Sequence, residues 1–363
     1  MAKKLAFDKV LFVAVLVLLL GGLVMVYSTT VFNVDPTRQS ALSSTPFLKQ
    51  VLAAGVGLLA MVAAMHVDYR LLRRPAVAYT IVGGILALLV LTLLSPAVNK
   101  THRWIFVGGV SIQASELAKI AIVVFLAYQL DRKWGRVNEA AVLIPTAVVT
   151  TLCAFLILLQ PDFGTAGIIV ATAGVMLFLA GLSWRFVALA GLVSLPALWF
   201  LIIAVPYRRQ RLFTFLEPDQ DPLGSGFQVL QSMIAVGSGG PFGLGLGQSV
   251  QKLHFLPFAE SDFIYAILSE ELGLIGSLGI VTLFAIVFWR GMRAGSRAPE
   301  PFGRMLAWGL CSALVLQALI NVSVAIALLP TTGTTLPLIS YGGSSMVATL
   351  LACGLVLNVS QHG

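Results

Sequence analysis

Residues 10–28 read VLFVAVLVLLLGGLVMVYS, an apolar run with no charged residue. It matches the roughly 20 residues that cross a bilayer as a helix. Lys3, Lys4 and Lys9 precede it, as basic residues also precede a secretory signal. However, the run is long and leads into VYSTT without an A-x-A cleavage site, which favours an uncleaved first helix. Comparable runs around 48–66, 75–94, 114–130, 140–159, 164–182, 186–205, 263–289, 305–329 and 342–360 bring the expected spans to ten. The sequence therefore predicts an all-α polytopic membrane protein. A single integral membrane domain fills residues 1–363.

Composition agrees. The chain is 58% hydrophobic and 10% charged, where a soluble domain carries roughly a quarter charged residues. Its net charge of +8 raises the question of nucleic acid, but the distribution points elsewhere. With the N-terminus inside, the even loops hold Arg70, Arg73 and Arg74; Arg132, Lys133 and Arg136; Arg185; and Arg290, Arg293, Arg297 and Arg304. The odd loops after helices 5 and 9 hold no Lys or Arg. This is the positive-inside pattern, and it predicts both termini in the cytoplasm. Basicity orients the protein, and no nucleic-acid partner is expected. Cys153, Cys311 and Cys353 fall within expected spans and read as small buried hydrophobes.

Two outward connections are more than turns. Residues 95–113 look interfacial, with Trp104 and Phe106 beside Arg103. Residues 206–261 form a large extracytoplasmic loop between helices 7 and 8, and long loops are usually functional or disordered. FQVLQSMIAV within it reads as a short amphipathic helix. No nucleotide site is expected. There is no P-loop string, and GSGGPFGLGLG has no strand before it, as a dinucleotide site requires. His66, His102, His254 and His362 lack metal-ligand spacing. Asp219-Gln220-Asp221 has a spacing that can hold a divalent ion, but it sits between prolines and reads as a solvated turn.

The remaining polar residues each admit two readings. Glu116 and Lys119 stand three apart on one face of the fourth helix. A structural pair and a direct substrate role both fit, because pairing keeps both charges in lipid at least cost. Asp162, in QPDFG, fits a cap of the sixth helix, with a polar role at a cleft as the second reading. Arg208, Arg209 and Arg211 follow helix 7 on the outer side. They can snorkel to headgroups or clamp a pyrophosphate, for which arginine geometry is suited. The acids of FAESDFIYAILSEELG divide by depth. Asp262 falls at the outward start of helix 8, as a cap or a catalytic base, and Glu260 is solvated at the rim. Glu270 lies about 80° around the helix from Asp262 and Glu271 nearly opposite, two turns deeper among polar neighbours.

Five ordered motifs then agree: HRWIFVGGVSIQASELAK, LLQPDFGTA, YRRQRLFTFLEPDQDPLGSGFQVLQSMIAVGSGG, GLGLGQSVQKLHFLPFAESDFIYAILSEELGLIG and LLPTTGTTLPLISYGGSS. Together they resemble the SEDS family of RodA and FtsW from about residue 100 to the end. The stretch LPFAESDF departs from the family's common LPEAHTDF at Phe258, Glu260 and Ser261, and Ala114 stands where proline is usual. The resemblance implies a peptidoglycan glycosyltransferase of the bacterial cytoplasmic membrane, acting in elongation or division. Its substrate would be lipid II, its released product undecaprenyl-pyrophosphate, and its partners a class B penicillin-binding protein and other elongation or division proteins. It also makes Asp262 the leading catalytic candidate.

The chemistry is coherent with that implication. Lipid II already carries a sugar on a pyrophosphate leaving group, so transfer needs a base and positive charge rather than a nucleotide. Arg103, Arg208, Arg209, Arg211 and Lys119 are the substrate-binding candidates, with a divalent cation as another source of charge. Glu116, Asp162, Glu270 and Glu271 are the supporting candidates. A lipid II flippase and a non-catalytic scaffold are the competing classes. A flippase would place ionisable residues through the depth of the bundle, and a scaffold would leave Asp262 and the arginines unexplained.

Overall fold

The computed structural model describes residues 7–30, 46–96, 101–107, 110–221, 224, 226–253 and 255–363. Lys3, Lys4 and His254 lie outside the described residues. Among the described residues, the regular secondary structure is helical except for one hairpin. Its helices are α1 (Lys9–Thr30), α2 (Pro46–His66), α3 (Pro75–Leu94), α4 (Ala114–Arg132), α5 (Ala140–Leu159), α6 (Phe163–Leu179) and α7 (Trp184–Ile203). They continue with α8 (Pro206–Leu216), α9 (Phe227–Ser238), α10 (Ile264–Arg297), α11 (Pro301–Ala325) and α12 (Gly343–Ser360). Ten of the twelve coincide with the apolar runs of the sequence.

Eight of these, among the described residues, are long and apolar enough to cross a membrane. The other two of the expected ten are α4 and α6. Glu116, Lys119 and Asp131 lower the apolarity of α4, and α6 has 17 residues, or roughly 26 Å of helix. Large apolar side chains such as Leu59, Leu94, Leu192 and Phe200 are exposed on the flanks of the bundle, where lipid replaces water. The core lies between α1, α4, α10, α11 and α12. By contrast, no described residue of α7 is buried.

The interfacial segment before α4 is a hairpin. Strands β1 (Trp104–Val107) and β2 (Val110–Gln113) pair antiparallel, Trp104 opposite Gln113. Aromatic and β-branched residues favour that pairing, and the all-helical expectation does not include it. The long loop contains the expected amphipathic helix as α9 and a further helix, α8, which Pro206 starts at its first turn.

The connections sort into two ends. At one, Arg73 pairs with Asp131 at 2.7 Å and with Glu300 at 3.0 Å, Arg70 pairs with Glu300 at 3.2 Å, and the Asp8 amide donates to Ser360 Oγ at 3.1 Å. The even connections and both described chain ends meet here. At the other end, Gln113, Asp162, Arg211, Asp262 and Thr331 gather from the odd connections.

Candidate active site

A cavity of about 440 Å³ opens at this second end. Arg211 and Thr214 of α8, Gln228 of α9, Asp262, and Thr331–Thr334 before α12 line it. A second, more apolar cavity of about 520 Å³ shares Arg211, Thr331 and Thr332 with the first. Its other walls include Phe163, Ile202, Val205 and Leu212, with Arg103 and Arg208. Arg211 therefore stands between a carboxylate-bearing chamber and a lipid-like one.

Asp262 is placed by its backbone. Asn321 of α11 donates to the Asp262 carbonyl at 2.9 Å and to the Thr334 carbonyl at 2.7 Å. Phe263, not Asp262, is the N-cap of α10, and no side chain caps that helix. The carboxylate is thus available to the cavity. Burial pushes Asp262 up to about 6; Arg211 and Arg103 pull it down, and Asp162 and Glu260 push it further up. Phe258 beside it holds a left-handed φ of 58°, which costs a non-glycine residue energy and marks a locally constrained chain.

The arginines are fixed individually. Arg211 donates to the Thr331 carbonyl at 2.7 Å. Arg103 donates to the carbonyls of Gln160, at 3.0 Å, and Pro161. Arg208 donates to the Leu201 carbonyl at 3.1 Å and lies 5.4 Å over the Phe163 ring, and burial lowers its pKa. Because α8 is helical, Arg208 and Arg211 share a face, and Arg209 points away and is exposed. Gly333 separates Asp262 from Arg103. A Cβ there would sit 3.8 Å from Asp262 Oδ2 and 4.0 Å from Arg103 Nη1, at a φ of +75°. Only glycine accepts that conformation freely.

Other expected residues stand apart from this cavity. Lys119 is held by Glu116 at 2.8 Å and by Gln317, so its ammonium is directed into α4 and α11. Asp162 accepts the Thr165 amide at 3.1 Å as the cap of α6 and also meets Ser115 and Gln113. Asp221 lies in a turn, its carbonyl accepting the amides of Gly224 and Gly226. Among the described residues, no three His, Cys, Asp or Glu side chains gather as metal ligands.

Glu270 and Glu271 hold the loop that precedes Asp262. Glu270 accepts from Ser249 and from the Val250 amide at 3.1 Å. Glu271 pairs with Lys252 at 2.8 Å and accepts from Ser28 at 2.7 Å and the Gly247 amide at 3.0 Å. Lys252, Asn321 and Gly333 do not emerge from the sequence as site residues. The signal for Lys252 is the one that singles out the arginines, a cation on the face where the positive-inside rule supplies no reason for it.

The family model for cell cycle proteins of the FtsW, RodA and SpoVE type matches residues 8–363. The chain is 42% identical to stage V sporulation protein E of Bacillus subtilis over 99% of its own length and 98% of that protein's. It is 44% identical to a probable peptidoglycan glycosyltransferase FtsW of Alkalilimnicola ehrlichii, covering 94% of this chain and 86% of that one. Among solved structures, it superposes with a TM-score of 0.80 and 32% identity on a chain from work on how a peptidoglycan synthase complex coordinates polymerization and crosslinking, over 98% of both chains. It also superposes on the rod shape determining protein RodA of Thermus thermophilus, with a TM-score of 0.70 and 29% identity over 98% of this chain and 97% of that one.

Proposed function

The chain belongs to the FtsW, RodA and SpoVE family of cell cycle proteins, and from that premise we propose that it polymerises lipid II into peptidoglycan glycan strands. Asp262 is the general base. It takes the proton of the acceptor sugar hydroxyl, whose oxygen forms a bond to the anomeric carbon of the donor. The donor's bond from that carbon to the pyrophosphate oxygen breaks, and undecaprenyl-pyrophosphate leaves. Arg103, Arg208 and Arg211 stabilise the charge that develops on the departing group. The apolar wall of Phe163, Ile202, Val205 and Leu212 receives the adjoining lipid.

The observation that carries this reading is the juxtaposition of two cavities across Arg211, one bearing an uncapped carboxylate and the other apolar with two more arginines. A carboxylate near pKa 6 is matched to proton transfer at neutral pH. The active face is then extracytoplasmic, in the bacterial cytoplasmic membrane, and a class B penicillin-binding protein is the partner that crosslinks the product. Glu116, Lys119, Glu270, Glu271 and Lys252 lie toward this face and are tied to one another or to loops, and Asp131 pairs with Arg73 at the other end. No described Asp, Glu, Lys or Arg lies between along the spans, which favours polymerase over flippase. The test is glycan-strand formation from purified lipid II, with and without the class B partner. Strands from the wild-type chain and none from Asp262→Asn support the reading. Lipid movement across vesicles without strand formation would replace it with the flippase.

A further inference from the structure

At the end of the bundle away from Asp262, Arg290, Arg293 and Arg297 share one face of α10. They line a cavity of about 260 Å³ with Phe7, Asp8, Lys9 and Ser360. Asp8 shapes this cavity. Its carboxylate caps α1 through the Leu11 amide at 3.0 Å and pairs with Arg290 at 2.6 Å. Its own amide donates to Ser360 at the end of α12. Three helices are thereby pinned around one basin.

The charge in that basin is unbalanced. Four cationic side chains line it against one carboxylate side chain, Asp8, which Arg290 engages, and the last residue of the chain, Gly363, which lies against Arg297. Arg293, Arg297 and Lys9 are exposed, and no ion pair joins them to another described residue. The positive-inside rule accounts for basic residues at this end. It does not account for their convergence on a walled cavity. The adjoining surface is apolar: Val10, Val13 and Val17 are exposed along one stripe of α1, and Trp289 is exposed next to Arg290. Val10 itself lines the cavity.

We propose that this cavity binds an anionic phospholipid, its phosphate held by Arg293, Arg297 and Lys9 and its acyl chains lying on the Val10–Val13–Val17 stripe. Guanidinium pairs suit the phosphate oxygens, and basic pockets between membrane helices are built for such headgroups. The apolar stripe selects a lipid over free phosphate.

Native mass spectrometry of the full chain, supplied with phosphatidylglycerol, phosphatidylcholine or glycerol 3-phosphate, tests this directly. Phosphatidylglycerol alone is retained and raises the melting temperature. Arg293→Gln with Arg297→Gln weakens its retention roughly 25-fold, the loss expected for two arginines beside an anionic headgroup. Arg293→Lys with Arg297→Lys keeps most of the retention, which separates lost binding from lost folding. Arg132→Gln with Arg185→Gln, exposed arginines of other even connections, leaves retention unchanged. Equal retention by the glutamine pair overturns the proposal, as does an equal loss in the control pair. Binding of glycerol 3-phosphate as strong as that of phosphatidylglycerol overturns the lipid assignment.

Discussion

At Asp262, burial and charge oppose each other and burial prevails, because a carboxylate loses more on leaving water than Arg211 and Arg103 return. The consequence for rate is a rising pH profile. The proposed base acts when deprotonated, so polymerisation should increase with pH through a midpoint at about 6. Glu260 pushes that value up, and Glu260→Gln should therefore move the midpoint to lower pH. The consequence for stability has the opposite sense. The folded protein retains a proton that the unfolded chain has already released, so the stabilising contribution is greatest at low pH and is lost as pH rises through about 6. At pH 7.5 Asp262→Asn should melt no lower than wild type, yet lose about 10²–10⁴-fold in glycan synthesis. A wild-type rate from that variant would remove Asp262 from the mechanism. The sequence makes the carboxylate visible and leaves cap against base undecided. The cap reading turns on where α10 begins, and the backbone puts the N-cap at Phe263, which no spacing rule shows; the role as base stays a proposal for the rate measurement.

Within α10 the decisive position is Gly273. It has a φ of 66° and a ψ of −165°, and it breaks the helix into segments on either side. The break is filled by the loop after α9: the Leu244 and Gly245 amides donate to the Glu270 and Glu271 carbonyls at 2.9 and 3.0 Å, and the Leu274 amide donates to Gly240 at 2.9 Å. A Cβ at Gly273 would collide with the backbone of Phe242 and Gly243, so Gly273→Ala should destabilise the protein and displace the loop. The same loop is anchored by the fully buried Lys252–Glu271 pair. Glu271→Gln removes the carboxylate that balances the buried ammonium, at a cost of about 3–5 kcal/mol. Adding Lys252→Met should recover part of that loss in thermal denaturation, and strictly additive losses would show that the pair does not couple. In the sequence, the apolar run around 263–289 reads as one helix with two acids facing polar neighbours. The acids are legible there because charge in a span demands a partner. The kink is not, because it is imposed by backbone groups of the run GSGGPFGLGLG, roughly 30 residues away, whose contacts no spacing in the sequence shows.

Across the whole molecule, the alternation of basic and non-basic connections becomes a physical separation of two ends. Arg70, Arg73, Asp131 and Glu300 tie three even connections together, while Arg103, Arg211 and Thr331 bring described odd connections to the cavity. Hydropathy and charge make this arrangement legible, since bilayer thickness and orientation act on composition rather than on detailed packing. They leave α8 unseen, because a short polar helix outside the apolar runs has neither signal. Orientation itself is open to measurement without any assay of activity. Cys153, Cys311 and Cys353 are buried and should stay silent toward a membrane-impermeant maleimide. Asp219 and Ser296 are exposed at opposite ends of the fold. Asp219→Cys should therefore label in intact cells, and Ser296→Cys only after the membrane is opened. The reverse pattern would turn the protein over, put the Asp262 cavity in the cytoplasm and move the phospholipid basin to the outer leaflet. It would also deprive the polymerase reading of its extracytoplasmic site, because that reading has the glycan strand assembled where the cavity opens.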